Sequence, residues 1–117
     1  MFKAVKETDK YGKQQTKYYL TQGDSLVIYA KPFRDGQAMS PSFVEKCLFK
    51  LSNTSYEQEF EKEMVRDGDK FVLKLESEET KNFEVDTHIY EIEYTLSGGA
   101  VQTPNQWKFI VLDQIII

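Results

Sequence analysis

Residues 18–41, YYLTQGDSLVIYAKPFRDGQAMSP, contain two short apolar runs separated by Gln22-Gly23-Asp24. In the second run Leu26, Ile28 and Ala30 alternate with the residues between them, so one side of the run is apolar throughout. Alternation of period two in segments rich in β-branched and aromatic residues predicts β-strands. The chain turns so soon because each short strand buries one face, and glycine and aspartate permit the bend to the next strand.

Similar segments recur along the chain. The predicted strands cover residues 17–21, 26–31, 44–51, 56–64, 71–75, 88–96 and 107 to about 115. Asp35-Gly36 and Asp67-Gly68 are turn signals, and residues 76–81 predict one turn of helix. No segment of ten or more residues has helical periodicity. About seven short strands joined by turns predict an all-β sandwich or barrel.

The 117 residues predict one domain. Residues 1–16 are polar, and their lysines are Lys3, Lys6, Lys10 and Lys13. We predict a flexible N-terminal arm over residues 1–16, with a short strand around Phe2 at most, and a single β-sandwich domain over residues 17–117.

Charge and composition weigh against several classes of function. The net charge is −4, which disfavours a general binder of nucleic acid or anionic membranes, because such binders cluster Lys and Arg. The single cysteine, Cys47, cannot form an intramolecular disulfide or a cysteine-rich zinc site. The first residues lack the apolar segment of a signal peptide, and no apolar run is long enough to span a membrane. We therefore expect synthesis and folding in the cytoplasm.

A single histidine and a row of glutamates are the residues considered for catalysis or metal binding. His88, the only histidine, is on the apolar side of its predicted strand, which favours a hydrogen-bonded core or rim residue over a catalyst. Glu57, Glu59, Glu61 and Glu63 alternate along another strand and predict a solvated acidic face. No nucleophile motif accompanies His88 and no Asp/Asn-rich loop accompanies the glutamates. We therefore predict no catalytic residue, no metal site and no cofactor.

Contact residues are expected at the two ends of the chain. Trp107 is interpreted as a core anchor, with sugar stacking as the alternative. Phe2 is a candidate contact in the N-terminal arm. The final residues Ile115, Ile116 and Ile117 are apolar on both faces, and they either pair with another chain or close the sandwich.

The order of these segments resembles a known family. LTQGDSLVIYA is followed by RDGQAMSPSFVEKCLFKL, the VRDGDKFVLKLESEETKNF hairpin, VDTHIYEIEYTLSGGAVQT and QWKFIVL. This is similar to the small immunoglobulin-like β-sandwiches of tailed phages and prophages of Gram-positive bacteria, including the N-terminal domain of phage baseplate upper protein. The elements that carry the likeness are Gln22-Gly23-Asp24, Asp35-Gly36, Glu79-Thr80 and the strand of Tyr90 and Ile92; Asp86 and His88 depart from the usual glycine and tyrosine.

The resemblance implies an immunoglobulin-like antiparallel β-sandwich and a non-enzymatic tail or baseplate protein. Such a protein would act through protein–protein contacts, either with other phage structural proteins or with itself, and would pass from the cytoplasm into the virion. The alternative is an immunoglobulin-like module that binds a ligand or glycan, with Tyr18, Tyr29 and Trp107 as stacking residues. The two differ in one respect, because a ligand module should gather its surface aromatics into one patch with polar groups.

Overall fold

The computed structural model describes residues 1–34 and 37–114, and these are mostly β-strands. The strands are β1 (Phe2–Thr8), β2 (Gln14–Thr21), β3 (Leu26–Ala30), β4 (Phe33–Arg34), β5 (Gln37–Ala38), β6 (Val44–Ser52), β7 (Gln58–Glu63), β8 (Val65–Asp67), β9 (Lys70–Leu75), β10 (Thr87–Leu96) and β11 (Val101–Leu112). A 3-10 turn spans Pro41–Phe43, and the predicted helical turn is α1 (Ser77–Thr80). The predicted turn at Asp35-Gly36 lies outside the described residues.

The strands form a β-sandwich of two main sheets, which confirms the predicted all-β sandwich. The large sheet has six strands in the order β1-β2-β11-β10-β6-β7, and the small sheet has three in the order β3-β9-β8. β4 and β5 form a separate short hairpin. One pairing departs from the predicted antiparallel arrangement, because β11 runs parallel to β2 from Phe109 to Leu112.

The core lies between the two sheets and follows the predicted alternation. In β3 the residues Leu26, Ile28 and Ala30 are buried while Val27 and Tyr29 are exposed. Eight aromatic ring contacts run through this layer and beside it. The large fully buried side chains are Tyr90, Tyr94, Phe49, Phe109, Leu20, Leu51, Leu73, Leu75 and Val111.

The small sheet covers the β7 side of the large sheet more fully than the β1 side. The chain passes from β7 to β8 through buried Met64, whose N–H donates to the Cys47 carbonyl at 2.8 Å. In the next small-sheet strand, Phe71 of β9 lies against Tyr94 of β10, with ring centroids 6.1 Å apart. On the β1 side the cover is incomplete, because Ala4 and Lys6 are exposed although they alternate onto the same face as Phe2, which packs against the core.

The prediction of a flexible arm over residues 1–16 is corrected by the structure. β1 pairs with β2 at all seven of its residues, and the predicted boundary at residue 16 falls inside β2. The polar composition concealed this strand because β1 is at the edge of the sheet, where five of its seven residues are exposed. An edge strand has little apolar surface to bury, so its sequence shows only weak alternation.

Candidate functional site

His88 is buried and has a hydrogen bond at each ring nitrogen. Nδ1 lies 2.9 Å from Glu59 Oε1, and Nε2 lies 2.8 Å from the Glu84 carbonyl oxygen. Each ring nitrogen therefore has an oxygen partner within the fold. The prediction of a hydrogen-bonded core residue is therefore confirmed.

A bulge brings Glu59 to His88. The β6–β7 register shifts between Leu51 and Ser52, which pair with Phe60 and Gln58, so Glu59 is the unpaired extra residue. A bulged residue leaves the strict alternation of its strand. Glu57 precedes β7, while Glu61 and Glu63 remain exposed on it. The predicted solvated acidic face therefore holds for Glu61 and Glu63, while Glu59 is a hydrogen-bond partner of His88.

The depression beside His88 has a volume of about 250 Å³. Its lining includes Glu59, Glu78, Glu79 and Glu84. Lys62 Nζ bonds both oxygens of Glu79 at 2.9 and 3.1 Å, and a backbone hydrogen bond from Glu76 is the main reason that the pKa of Glu79 is lowered. Over residues 1–34 and 37–114, no group of three or more His, Cys, Asp or Glu side chains is arranged to hold a metal ion.

Among the described strands, the unpaired edge of β1 is the longest regular edge at the rim of either main sheet. Thr21 N–H donates to the Met1 carbonyl and Asp9 N–H donates to the Lys13 carbonyl, each at 2.8 Å. These two contacts mark hydrogen-bonded pairs at odd-numbered residues, and such pairs alternate along an antiparallel ladder. The backbone groups of residues 3, 5 and 7 therefore point to β2, and those of residues 2, 4, 6 and 8 point outward.

A tight turn holds the β1–β2 hairpin in this register. Asp9 Oδ1 accepts hydrogen bonds from the Tyr11 and Lys13 N–H groups, each at 2.9 Å, and Gly12 has a φ of 79°. Glycine tolerates this left-handed backbone because it has no Cβ. The Gln15 side chain is the main cause of a lowered pKa at Asp9. Asp9 followed by Gly12 is the sequence signal for this turn, which was not predicted from the sequence.

β2 pairs with β11 only near the end of the hairpin's return strand. The parallel pairing covers Phe109 to Leu112 opposite Tyr18 to Thr21. Before this pairing along β2, the hairpin is connected to the rest of the sheet by side chains. The Tyr90 hydroxyl donates to the Thr16 carbonyl at 2.6 Å, and Lys13 Nζ donates to the Pro104 carbonyl at 3.1 Å. Side chains therefore replace the missing ladder, and a gap separates the two strands.

A groove of about 640 Å³ opens on the inner side of this gap. Residues from β1, β2, β10 and β11 line it, together with the end of β3 and the residues after it. Its lining includes Lys6, Tyr18, Tyr29 and Phe33, and the described residues that line it include no carboxylate. Lys6 Nζ donates to the Thr16 hydroxyl at 2.7 Å, so its charge has a neutral partner there.

The predicted contact residues are not gathered in one place. Phe2 is half-buried and stacks on Tyr18, with centroids 5.5 Å apart and planes at 13°, so its ring belongs to the core and not to a free arm. Trp107 is half-buried and packs against the core cluster, as expected of an anchor. It lines a different depression, of about 480 Å³, with Tyr11 and Tyr56. Ile115, Ile116 and Ile117 lie outside the described residues.

Comparison of the chain with protein-family models, with curated proteins and with solved structures finds no match. Among the described residues, no helix is both long and apolar enough to cross a membrane.

Proposed function

We propose that the protein is a non-enzymatic structural component of a phage or prophage particle, in the tail or baseplate, and that it acts through protein–protein contacts. The proposal includes the finer, immunoglobulin-like description of the sandwich, for which the sequence resemblance is the support. The observation that carries the contact function is the open edge of β1, where residues 2, 4, 6 and 8 leave their outward N–H and carbonyl groups available. Such an edge is a ready site for pairing with another strand.

The arrangement at His88 supports a non-enzymatic function. The side chain most suited to general base catalysis at neutral pH is held at both nitrogens by acceptors within the fold. The only thiol, Cys47, is buried, and burial raises its pKa to about 12, so little nucleophilic thiolate forms.

The proposal is tested by following the chain into particles. The tagged full-length protein is produced in a lysogenic Gram-positive host, the prophage is induced, and particles are separated on a density gradient and immunoblotted. Co-migration of the chain with tails or whole particles supports the proposal, and recovery only in the soluble fraction contradicts it.

A matched pair of variants connects the outcome to β1. Ala4→Pro removes an outward N–H, and proline is tolerated on an edge strand where its missing donor faced solvent. Ala4→Val keeps that N–H. Loss of incorporation in Ala4→Pro but not in Ala4→Val would identify strand pairing as the contact.

One observation favours the second candidate, a ligand-binding or glycan-binding module. Tyr18 and Tyr29 line the same groove, beside Lys6 and Phe33. Trp107 does not line that groove. Binding of an acidic glycan on an array, weakened by Tyr29→Ala and by Lys6→Gln but unchanged in Trp107→Phe, would favour this candidate over the first.

A further inference from the structure

We propose that β1 is a self-complementary edge, and that two copies of this chain pair antiparallel through β1 with Val5 opposite Val5. The two six-stranded sheets would then join into one continuous sheet across a twofold axis. The inference rests on the proposed function in one respect, since it names the protein partner of that contact surface as a second copy.

The backbone restricts which registers are possible. Only residues 2, 4, 6 and 8 point their N–H and carbonyl groups outward, as the two flanking hydrogen bonds require. An antiparallel partner must therefore place even-numbered residues opposite even-numbered residues. Paired residue numbers then sum to an even number, which excludes every second register.

In one permitted register the paired residue numbers sum to ten, so residue 2 faces residue 8 and residue 5 faces residue 5. This register pairs all seven residues of β1, FKAVKET, with the second copy. It places Val5 opposite Val5 at the twofold axis. On each side of the axis, Lys3 of one copy lies opposite Glu7 of the other. The two neighbouring permitted registers place Ala4 opposite Ala4 or Lys6 opposite Lys6, and neither places Lys3 opposite Glu7. Opposite charges directly across an antiparallel pair stabilise it and like charges destabilise it.

The side chains on this face are suited to the pairing. Val5 is 39% exposed and would be covered by its symmetry mate. Within the described residues Lys3 has no carboxylate partner, and its ammonium lies 5.2 Å from the Tyr19 ring centroid. Glu7 already contacts Lys17 at 2.9 Å and Lys108 at 3.7 Å, and a carboxylate has further lone pairs for a third donor. Val5 and Lys3 would both lie in non-hydrogen-bonded pairs, where facing side chains approach most closely.

Cysteine scanning reads the register directly. Val5→Cys, Ala4→Cys and Lys6→Cys are each made in a Cys47→Ser background and oxidised mildly at a concentration where the protein self-associates. Facing Cα atoms in a non-hydrogen-bonded pair lie about 4.5 Å apart, which is within disulfide range. We expect a covalent dimer from Val5→Cys and little from the other two. Equal or greater cross-linking through Ala4→Cys or Lys6→Cys, or none through Val5→Cys, would overturn the proposal.

Charge exchange provides a second measurement that does not depend on disulfide chemistry. Lys3→Glu and Glu7→Lys each create like-charged pairs, and we expect each to weaken the dimer about tenfold in sedimentation equilibrium. The double variant Lys3→Glu/Glu7→Lys restores opposite charges and should recover most of the affinity. Circular dichroism confirms that each variant folds, and Glu61→Lys on β7 is the control that should leave association unchanged.

These results separate the inference from the proposed function. A chain that enters particles but stays monomeric at millimolar concentration would overturn the β1 dimer and leave the structural role intact. A dimer with the Val5 cross-link that is absent from particles would confirm the pairing and contradict the phage role. Double-variant affinity no better than that of the single variants would also count against the register.

Discussion

The two edge strands of the large sheet differ in how they meet solvent. β1 pairs with β2 over seven residues without a register shift, and its outward backbone groups form an uninterrupted row. β7 pairs with β6 through a bulge that diverts Glu59 to His88, and its remaining residues include Glu61, Lys62 and Glu63. Bulges and dense charge are the devices by which proteins prevent strand addition. The β7 edge is therefore protected against another strand, whereas the β1 edge is open to one.

The two edges also differ in how they are attached to the core. β7 continues through buried Met64 into the small sheet, and Phe60 packs edge-on against Phe83 with centroids 5.1 Å apart. The β1–β2 hairpin has only one short parallel pairing with the rest of the large sheet, and its other attachments are side-chain contacts, including those of the Tyr90 hydroxyl, the Lys13 ammonium and Glu7 with Lys108. The β1 side therefore depends on side-chain contacts more than the β7 side does, and substitutions of those side chains should affect the two sides differently.

Phe109→Ala should have the largest effect on this difference. Phe109 is fully buried and contacts the rings of Tyr18, Phe49 and Phe83, so it attaches the hairpin to the core. Truncating a buried phenylalanine costs about 3–5 kcal/mol. Urea unfolding should show this loss, with hydrogen exchange fastest in β1 and β2. Phe60→Ala, on half-buried β7, is the matched comparison and should cost less than half as much; an equal loss would contradict the proposed difference in attachment.

Tyr90→Phe should weaken the hairpin side by a smaller amount. The variant removes the donor at 2.6 Å from the Thr16 carbonyl, and an unpaired partly buried acceptor costs about 1–3 kcal/mol. Urea unfolding measures the loss, and hydrogen exchange should rise at residues 14–17. Tyr94→Phe is the control, because the Tyr94 hydroxyl is buried without a hydrogen-bond partner in the described part of the chain. Its stability should stay the same or rise, and a loss as large as that of Tyr90→Phe would show that ring packing explains both.

The sequence predicted the interior of the sandwich better than its rim. β3 buries one face and alternates strictly, and its residues Leu26, Ile28 and Ala30, predicted to share an apolar side, are the buried ones. The β1 edge buries too little apolar surface to show this pattern, so it was assigned to an arm. Trp107 was expected to anchor the core and does pack against it.

The His88 site and the groove beside Tyr18 depend on features that the alternation of apolar and polar residues along a strand cannot specify. The contact between Glu59 and His88 requires a bulge, and a bulge moves one residue out of the alternation without a distinct sequence signal. The groove beside Tyr18 requires that β11 leave β2 after a short pairing, which is decided by strand order in the sheet. Strand order depends on contacts between distant segments, and no local pattern of residues records it.

Acid should lower the stability of the β1 side of the sheet because it protonates Glu7. The Lys17 ammonium, by its hydrogen bond, is the main reason that the pKa of Glu7 lies below its ordinary value of 4.5. A lowered folded-state pKa adds stability that is complete above pH 4.5 and is lost as the pH falls below that value. The urea midpoint should therefore drop between pH 5 and about pH 3 more steeply in the wild type than in Glu7→Gln, which lacks this titration. Parallel pH profiles for the two proteins would contradict the assignment.

Thiol labelling rates involve the smallest expected change in stability. They should show the clearest difference between the two edges. Cys47 is beneath the β7 side, where its thiol lies 3.7 Å from Met64 Sδ; burial, with a smaller contribution from Glu63, raises its pKa to about 12. A disulfide reagent at pH 8 should therefore label native Cys47 at least about a hundredfold more slowly than Ala4→Cys in a Cys47→Ser background, at a concentration where the chain is monomeric. Unfolding in urea should make the two rates similar. Fast native labelling of Cys47 would mean that the junction of β7 and β8 opens readily, and the β7 edge would then be no better closed than β1.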